Sequence, residues 1–175
     1  MKKPRSTELS FEIDKITRSI ENVVTGDSLP TVVMLLTNAD LKLVTRKNGW
    51  LFNWKLELLV EERRVYKLTI AGNPTIIQGL VSLELRNDHV YMHLVENAPF
   101  NLGRNKVYAG VMGNLVAFGC KLAFENGHQG NLAFDSKTAL MQHYHETLGG
   151  EHVGGLRMVI DTPAALHLVN KYFPA

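Results

Sequence analysis

The stretch that decides the fold is Gly110-Val-Met-Gly-Asn-Leu-Val-Ala-Phe-Gly-Cys-Lys-Leu-Ala-Phe-Glu-Asn-Gly127. Its apolar and small residues recur at spacings of three and four, which places them on one helical face. These residues are Met112, Leu115, Val116, Gly119, Leu122 and Ala123. Asn126 and Gly127 follow as a helix stop. The pattern predicts a glycine turn that opens directly into a buried helix.

The start of this helix has two interpretations. Gly110 and Gly113 remove side chains where the first turn leaves backbone N–H groups without intrahelical partners. An anion can lie against such amides, and the helix dipole favours it, so the start is a candidate phosphate cradle. Alternatively, the glycines only allow tight helix packing. No Gly-Lys-Ser/Thr follows, which excludes a nucleoside-triphosphate P-loop.

Length and composition predict one domain spanning residues 1–175, with residues 1–9 as a loose leader. The chain is 45% hydrophobic and 21% charged, as in ordinary globular proteins, and its net charge of +2 argues against a nucleic-acid partner. The single cysteine, Cys120, excludes an internal disulfide and fits a reducing compartment. No apolar run reaches about 18 residues. We therefore expect no membrane span and a cytoplasmic protein.

The first third of the chain mixes helical and strand patterns. An apolar stripe predicts a helix over 11–24, and the run 31–37 predicts a buried strand followed by a short helix that Thr37 caps. Residues 55–60 are a candidate strand and 61–64 a solvated tip. The aromatic patch Trp50-Leu-Phe-Asn-Trp54 either fills the core or forms one wall of an acceptor pocket.

The rest of the chain predicts the architecture. Strands over 65–71, 76–85 and 89–96 are joined by short turns and are therefore antiparallel, with Gly79 as a bulge or close-approach point. After the Gly110–Gly127 helix come a strand at 132–134, a helix at 136–148, a strand at 156–160 and a last helix that Asp161 caps. The order predicts an α/β fold: a single mixed, mostly antiparallel sheet flanked by helices on both faces.

Four stretches in this order resemble the GNAT superfamily of acyl-coenzyme A N-acyltransferases. They are residues 77–83, 89–99, 110–115 and 140–154, and the resemblance covers roughly residues 65–160. It implies transfer of an acetyl or other acyl group from acetyl-CoA, or another acyl-CoA, to a small-molecule or peptide amine. No metal is implied.

The resemblance also implies site residues. The pyrophosphate of coenzyme A would bind at the helix start, and a main-chain N–H near Val95 would stabilise the carbonyl oxygen. Ser136 stands in a region where the superfamily often has an Asn. The residues implied in cofactor binding are Val95, Gly110, Val111, Met112, Gly113, Asn114, Leu115 and Ser136.

Two departures from the superfamily pattern leave alternatives open. Tyr108 or Ala109 stands where the loop usually carries a basic or amide residue, and Arg104 and Lys106 could supply the missing positive charge. The tyrosine that the superfamily uses as proton donor corresponds to His145 without a gap and to Tyr144 with one inserted residue.

Helical geometry favours Tyr144, because it shares the inward face with Leu140, Met141 and Leu148, whereas His145 is rotated by about 100°. The first candidate for the base that takes the amine proton is Glu96, at the end of its strand, and Glu84 on the preceding strand is the second. A strand-end carboxylate can also be only a solvated or turn-capping group.

Seven histidines raise the question of a metal site. His89 and His93 lie about 13 Å apart along one strand, and His143 and His145 are about 200° apart on a helix, so neither pair chelates one ion. His93 remains a candidate for lining the acceptor site. The alternatives to an enzyme are a non-catalytic acyl-CoA-binding or regulatory domain and a cofactor-free interaction module. A homodimer is expected only because dimers are the commonest soluble oligomers.

Overall fold

The computed structural model describes residues 7–174. Most of the leader predicted for residues 1–9 therefore lies outside the described residues. Leu9 is buried, and its amide donates to the carbonyl oxygen of Asp135. The chain is thus attached to the fold from Leu9 onward, and any loose leader ends before it.

The described residues form ten strands and four α-helices. The strands are β1 (Ile20–Asn22), β2 (Ser28–Leu29), β3 (Thr31–Leu35), β4 (Arg64–Ile70), β5 (Asn73–Leu85), β6 (Val90–Asn97), β7 (Tyr108–Ala109), β8 (Leu132–Asp135), β9 (Glu151–Gly154) and β10 (Arg157–Ile160). The helices are α1 (Trp54–Leu58), α2 (Val111–Glu125), α3 (Met141–Leu148) and α4 (Thr162–Tyr172). Single 3-10 turns lie at Asp40–Lys42, Arg46–Asn48, Pro99–Asn101 and Thr138–Leu140.

Seven strands form the main sheet in the order β3-β4-β5-β6-β8-β10-β9. Its neighbours pair antiparallel except β6 and β8, which run parallel. This confirms the predicted mixed, mostly antiparallel sheet. The short strands β2, β1 and β7 form a separate three-stranded sheet that the sequence pattern did not predict.

Helices pack on both faces of the main sheet, as predicted. Gly79 and Leu80 are consecutive on β5 and therefore face opposite sides. A side chain at Gly79 would lie 2.9 Å from atoms of Val111 and Leu115, so α2 covers that face. Glu96 pairs with Leu80 on the other face and contacts Trp54 of α1.

Of the two roles predicted for Gly79, the structure shows the close approach of α2, and the bulge lies at the preceding residue. Gly79 pairs with Leu68, whereas the next residue of β4, Thr69, pairs with Ile77, which leaves Gln78 as the extra residue. The predicted inward face of α2 is also buried. Gly110 stands directly before α2 as a left-handed N-cap with φ of 88°.

The helix predicted over 11–24 is wrong. Residues 10–17 have no helix or strand assignment, the chain bends at Arg18 and Ser19, and β1 begins at Ile20. Leu9, Phe11 and Ile13 are buried and alternate with exposed polar residues, which is the period of an extended chain. The later isoleucines only completed an apparent helical stripe.

The strand predicted over 55–60 is also wrong. Residues 54–58 form α1, because the side chain of Asn53 caps the helix by accepting the amide of Leu56. The tip at 61–64 is not fully solvated: Arg63 forms a buried ion pair with Glu57. The helix predicted from Ser136 begins at Met141 after a 3-10 turn, and β9 was not predicted.

Candidate functional site

A cleft opens where β6 and β8 separate. The two strands pair only at Val90–Leu132 and Tyr91–Ala133, whereas β6 continues to Asn97. The cleft has a volume of about 560 Å³. Its walls include Val95, Glu96 and Asn97 of β6, Leu51 and Phe52 of the aromatic patch, and Met112 in the first turn of α2. The predicted strand end and helix start therefore meet at one cavity. Of the aromatic patch, Leu51 and Phe52 line this cavity, whereas Trp50 and Trp54 fill the core.

Residues 9–14, here named the N-terminal segment, lie along this cleft. Leu9 forms a parallel bridge with Ser136, donates its amide to Asp135 at 2.8 Å and accepts the amide of Lys137 at 3.0 Å. The amide of Ile13 donates to Nε2 of His143 at 2.9 Å. The segment thus continues the sheet at the end of β8, on the side from which β6 has turned away. Its alternating buried residues were the signal that could have revealed it.

Tyr144 faces the sheet, as its helical position predicted. Its side chain is fully buried and packs on Phe11 and Phe134, with ring centroids 4.5 and 5.3 Å away. Its hydroxyl donates to the carbonyl oxygen of Phe11 at 2.6 Å. Burial raises the pKa of Tyr144 above the usual range of tyrosine. Phe11 lines the cleft, so it covers Tyr144 on that side.

His145 points away from the cleft. Half of its side chain is exposed, and Nδ1 lies 3.0 Å from the carbonyl oxygen of Gly150 and 3.6 Å from the carboxylate of Glu151. Of the two candidates for the proton donor, only Tyr144 therefore lies beside a residue that lines the cleft.

Glu96 is buried at the end of β6 and lines the cleft. Its carboxylate accepts the amide of Leu51 at 2.8 Å, the amide of Phe52 at 3.4 Å and Nε1 of Trp54 at 2.8 Å. It therefore holds the aromatic patch against the sheet. A carboxylate has about four lone-pair sites, so one site remains for a further donor.

The carboxylate of Asp14 lies at the start of α2. The amide of Gly110 donates to Oδ1 of Asp14 at 3.2 Å, and Nζ of Lys106 lies 3.1 Å from Oδ2 of the same carboxylate. Lys106 thus supplies positive charge beside the helix start, whereas Arg104 is exposed. The first intrahelical bond runs from Asn114 to Gly110, so the amides of Val111 and Met112 precede it. Sequence reasoning missed Asp14.

The side chains that follow in α2 face the protein interior. Gly113 lies against Tyr172 of α4, Asn114 donates Nδ2 to Oγ1 of Thr31 at 3.0 Å, and Leu115 is a core residue. Any role of these three residues toward a ligand would rest on main-chain groups. Gly110 is also packed, because a side chain there would overlap Thr17. The packing interpretation of the two glycines is thus supported.

Replacing Gly113 by Ala should destabilise the protein by about 1–3 kcal/mol, because the added methyl would overlap the hydroxyl of Tyr172. Urea unfolding measures the loss. The matched control is the double variant G113A/Y172F, in which the hydroxyl is absent. It should lose less than the sum of the two single variants. Simple additivity would contradict the assigned contact.

The other two predicted cofactor residues have different environments. Val95 is buried and lines the cleft. Ser136 is fully buried beside Leu9, where its amide donates to the carbonyl oxygen of Leu156 and its hydroxyl to that of Lys137. Ser136 therefore lies beside the N-terminal segment, whereas Lys137 reaches the cleft wall.

His93 and Glu84 form a pair, with Nε2 of the histidine 2.8 Å from a carboxylate oxygen. His93 is buried and packs on the ring of Tyr91. Neither His93 nor Glu84 belongs to the residues that line the cleft of the described chain. Burial lowers the pKa of His93 to about 4, and the charges of Arg63 and Arg86 lower it further. The hydrogen bond and the charge of Glu84 raise this pKa but do not offset the burial.

This pKa predicts an acid-dependent loss of stability. The folded pKa of His93 lies below the ordinary value of 6.5, so the unfolded chain takes up the proton first. Stability should therefore fall as the pH drops from 6.5 toward 4, by roughly 3 kcal/mol in total. Urea unfolding at pH 7 and 4.5 should show a smaller difference for H93Q than for the unchanged protein. The exposed His152 provides the control variant H152Q, and equal acid sensitivity of all three proteins would contradict the prediction.

Within residues 7–174, no group of three or more His, Cys, Asp or Glu residues is placed to hold a metal ion. Among the helices of the same residues, none has the length and apolar character needed to cross a membrane. Cys120 is fully buried, and burial raises the pKa of its thiol far above its ordinary value, which argues against a catalytic thiol.

Comparison with solved structures identifies the architecture. A spermidine N-acetyltransferase chimera of Vibrio cholerae SpeG and hSSAT matches with a TM-score of 0.55 and 17% identity, over 78% of this chain and 98% of the chimera. The AtaTR structure with bound acetyl-CoA matches with a TM-score of 0.53 and 14% identity, over 79% of this chain and 98% of that one. The chain has the GNAT fold. No protein-family model and no curated protein sequence matches it.

The GNAT fold confirms the resemblance found in the sequence at the level of architecture. Since both matches have low identity, they show the fold alone. Each covers nearly all of the matched structure but leaves about a fifth of this chain uncovered. The ligand of the cleft in this GNAT-fold chain is determined by the residues that line it, because one fold carries many different sites.

Proposed function

We propose that this protein is an N-acyltransferase, acting as a single domain, that moves an acetyl or other acyl group from coenzyme A to an amine. The carrying observation is the cleft between β6 and β8, which brings the end of β6 and the first turn of α2 to one cavity in a GNAT fold. One match with this fold holds acetyl-CoA. These features support the proposal together.

The helix start fits an anionic donor. The Gly110 amide already donates to a carboxylate oxygen of Asp14, and Lys106 places a positive charge beside the same carboxylate. A phosphate oxygen has the same requirements as that carboxylate. We assign the amides of Gly110, Val111 and Met112 to the pyrophosphate of the donor.

The transfer forms one bond and breaks one. The amine nitrogen attacks the thioester carbonyl carbon, the new C–N bond forms, the C–S bond breaks, and sulfur leaves as a thiolate. The main-chain N–H near Val95 stabilises the carbonyl oxygen as it gains charge. Glu96 takes the proton that the amine loses, through the lone-pair site that its three hydrogen bonds leave open. Tyr144 donates its hydroxyl proton to the thiolate, and the phenolate and the protonated Glu96 are restored by proton exchange with solvent.

A second candidate is a non-catalytic acyl-CoA-binding domain of the same fold. It is favoured by one contact: the Tyr144 hydroxyl donates to the Phe11 carbonyl oxygen. In this state the hydroxyl is not available to a leaving sulfur. The two candidates share donor binding and differ only in turnover.

Thermal unfolding with and without acetyl-CoA tests both candidates. Ligand at 100 times its dissociation constant adds about 2.7 kcal/mol, which for a chain of this size raises the midpoint by several degrees. The proposed enzyme also releases free thiol when supplied with a small-molecule or peptide amine. A thermal shift without thiol release from any amine would favour the second candidate. No shift at millimolar ligand would overturn both.

A further inference from the structure

We propose that the N-terminal segment (residues 9–14) competes with the acyl donor for its site, so that donor binding requires the segment to leave. The chain would thereby regulate its own donor site. The inference rests on the proposed function. It goes beyond it because it assigns a role to a part of the chain that the transfer chemistry does not use.

The first contact that carries the proposal lies at the helix start. Asp14 brings a carboxylate to the Gly110 amide and pairs with Lys106. The helix dipole and the lysine favour any anion at this position, and two anions cannot share it. A donor phosphate bound here must displace the Asp14 carboxylate.

The second contact lies at the other end of the same segment. The Phe11 carbonyl accepts the Tyr144 hydroxyl at 2.6 Å, and the Phe11 ring stacks on the Tyr144 ring. Tyr144 is fully buried by this packing. The hydroxyl can reach a leaving sulfur only after Phe11 has moved. One six-residue segment thus covers both the proposed phosphate site and the proposed proton donor.

Two neighbouring cavities are bordered by the N-terminal segment. A second cavity of about 260 Å³ shares Ser10, Phe11 and Met112 with the main cleft and extends to Asp14 and Lys106. The N-terminal segment therefore borders a continuous route from the end of β6 to the start of α2. Besides the Phe11 carbonyl, its main chain is attached by the bonds of Leu9 to Asp135 and Lys137 and by the bond of Ile13 to His143. Breaking these bonds frees the segment without disrupting pairing inside β8.

The first arm of the test measures the affinity of coenzyme A by calorimetry for the unchanged protein and for D14N. The amide side chain keeps an acceptor oxygen but removes the charge that competes with phosphate. We expect D14N to bind coenzyme A at least several-fold more tightly. The matched control is D27N, which removes the same charge from an exposed position in the same part of the chain. It should bind as the unchanged protein does.

The second arm follows amide hydrogen exchange of residues 9–14 in the unchanged protein. Saturating coenzyme A should speed exchange at the Leu9 and Ile13 amides, because their acceptors are lost when the segment leaves. Equal affinity of D14N together with unchanged or slower exchange would overturn the inference and leave the proposed function standing. Absence of coenzyme A binding by every variant would overturn both. Binding by D14N alone would support both.

Discussion

Replacing Tyr144 by Phe is expected to lower turnover about 100-fold or more, because the thiolate then leaves without its proton donor. Donor affinity should rise rather than fall, because the lost hydroxyl removes one attachment of the N-terminal segment, whereas the phenyl ring keeps the packing on Phe11 and Phe134. The lost hydroxyl deprives the buried Phe11 carbonyl of a donor, at a cost of about 1–3 kcal/mol in stability. Steady-state kinetics well below the unfolding midpoint, with acetyl-CoA and an accepted amine, give kcat and KM separately.

The matched control is H145F on the next residue of the same helix. His145 is half exposed and points away from the cleft, so its replacement should leave kcat near that of the unchanged protein. The reverse pattern, with H145F impaired and Y144F active, would identify His145 as the proton donor. His145 is the residue that corresponds to the superfamily tyrosine without a gap.

Replacing Glu96 by Gln is expected to affect both stability and turnover. The buried carboxylate accepts three hydrogen bonds, and bonds to a charged group contribute about 1.5–3 kcal/mol each. A glutamine offers one acceptor oxygen and turns an N–H₂ toward a donor. We expect a loss of roughly 3 kcal/mol in the free energy of unfolding and a fall in kcat of at least about 100-fold. Urea unfolding and kinetics on the same preparation measure the two effects.

E84Q provides the matched control on the neighbouring strand. Glu84 is about one-quarter exposed and pairs with His93 and Arg86 away from the cleft. Its replacement should leave kcat close to that of the unchanged protein. Unchanged turnover by folded E96Q would remove Glu96 from the transfer chemistry and leave it only the role of holding the aromatic patch.

Sequence reasoning predicted the central elements because their signals are local. The apolar spacing and the flanking glycines define α2 within about 18 residues, and short turns define the antiparallel run β4-β5-β6. The inward orientation of Tyr144 also follows from its position on one helix. Each of these predictions needs only the period of one element or the length of one turn.

The wrong predictions come from apolar patterns that fit both a helix and an extended chain. Phe11, Ile13, Ile16 and Ile20 fit a helical stripe when read together, although Leu9, Phe11 and Ile13 alone have the alternation of an extended chain. Residues 55–60 have no decisive period, and the Asn53 cap decided the outcome in favour of a helix. The strands β1, β2 and β7 are two or three residues long, too short for a periodic signal.

By itself the sequence determined the α/β architecture, the α2 helix with its glycine start, and the choice of Tyr144 over His145 as the inward residue. Only the tertiary structure decided what these groups contact. Asp14 reaches Gly110 across 96 positions, Tyr144 reaches Phe11 across 133, and Glu96 reaches Leu51 across 45. Such contacts depend on which strand edge is left open, here by the divergence of β6 and β8. Local periodicity carries no information about an open edge or about the distant segment that fills it.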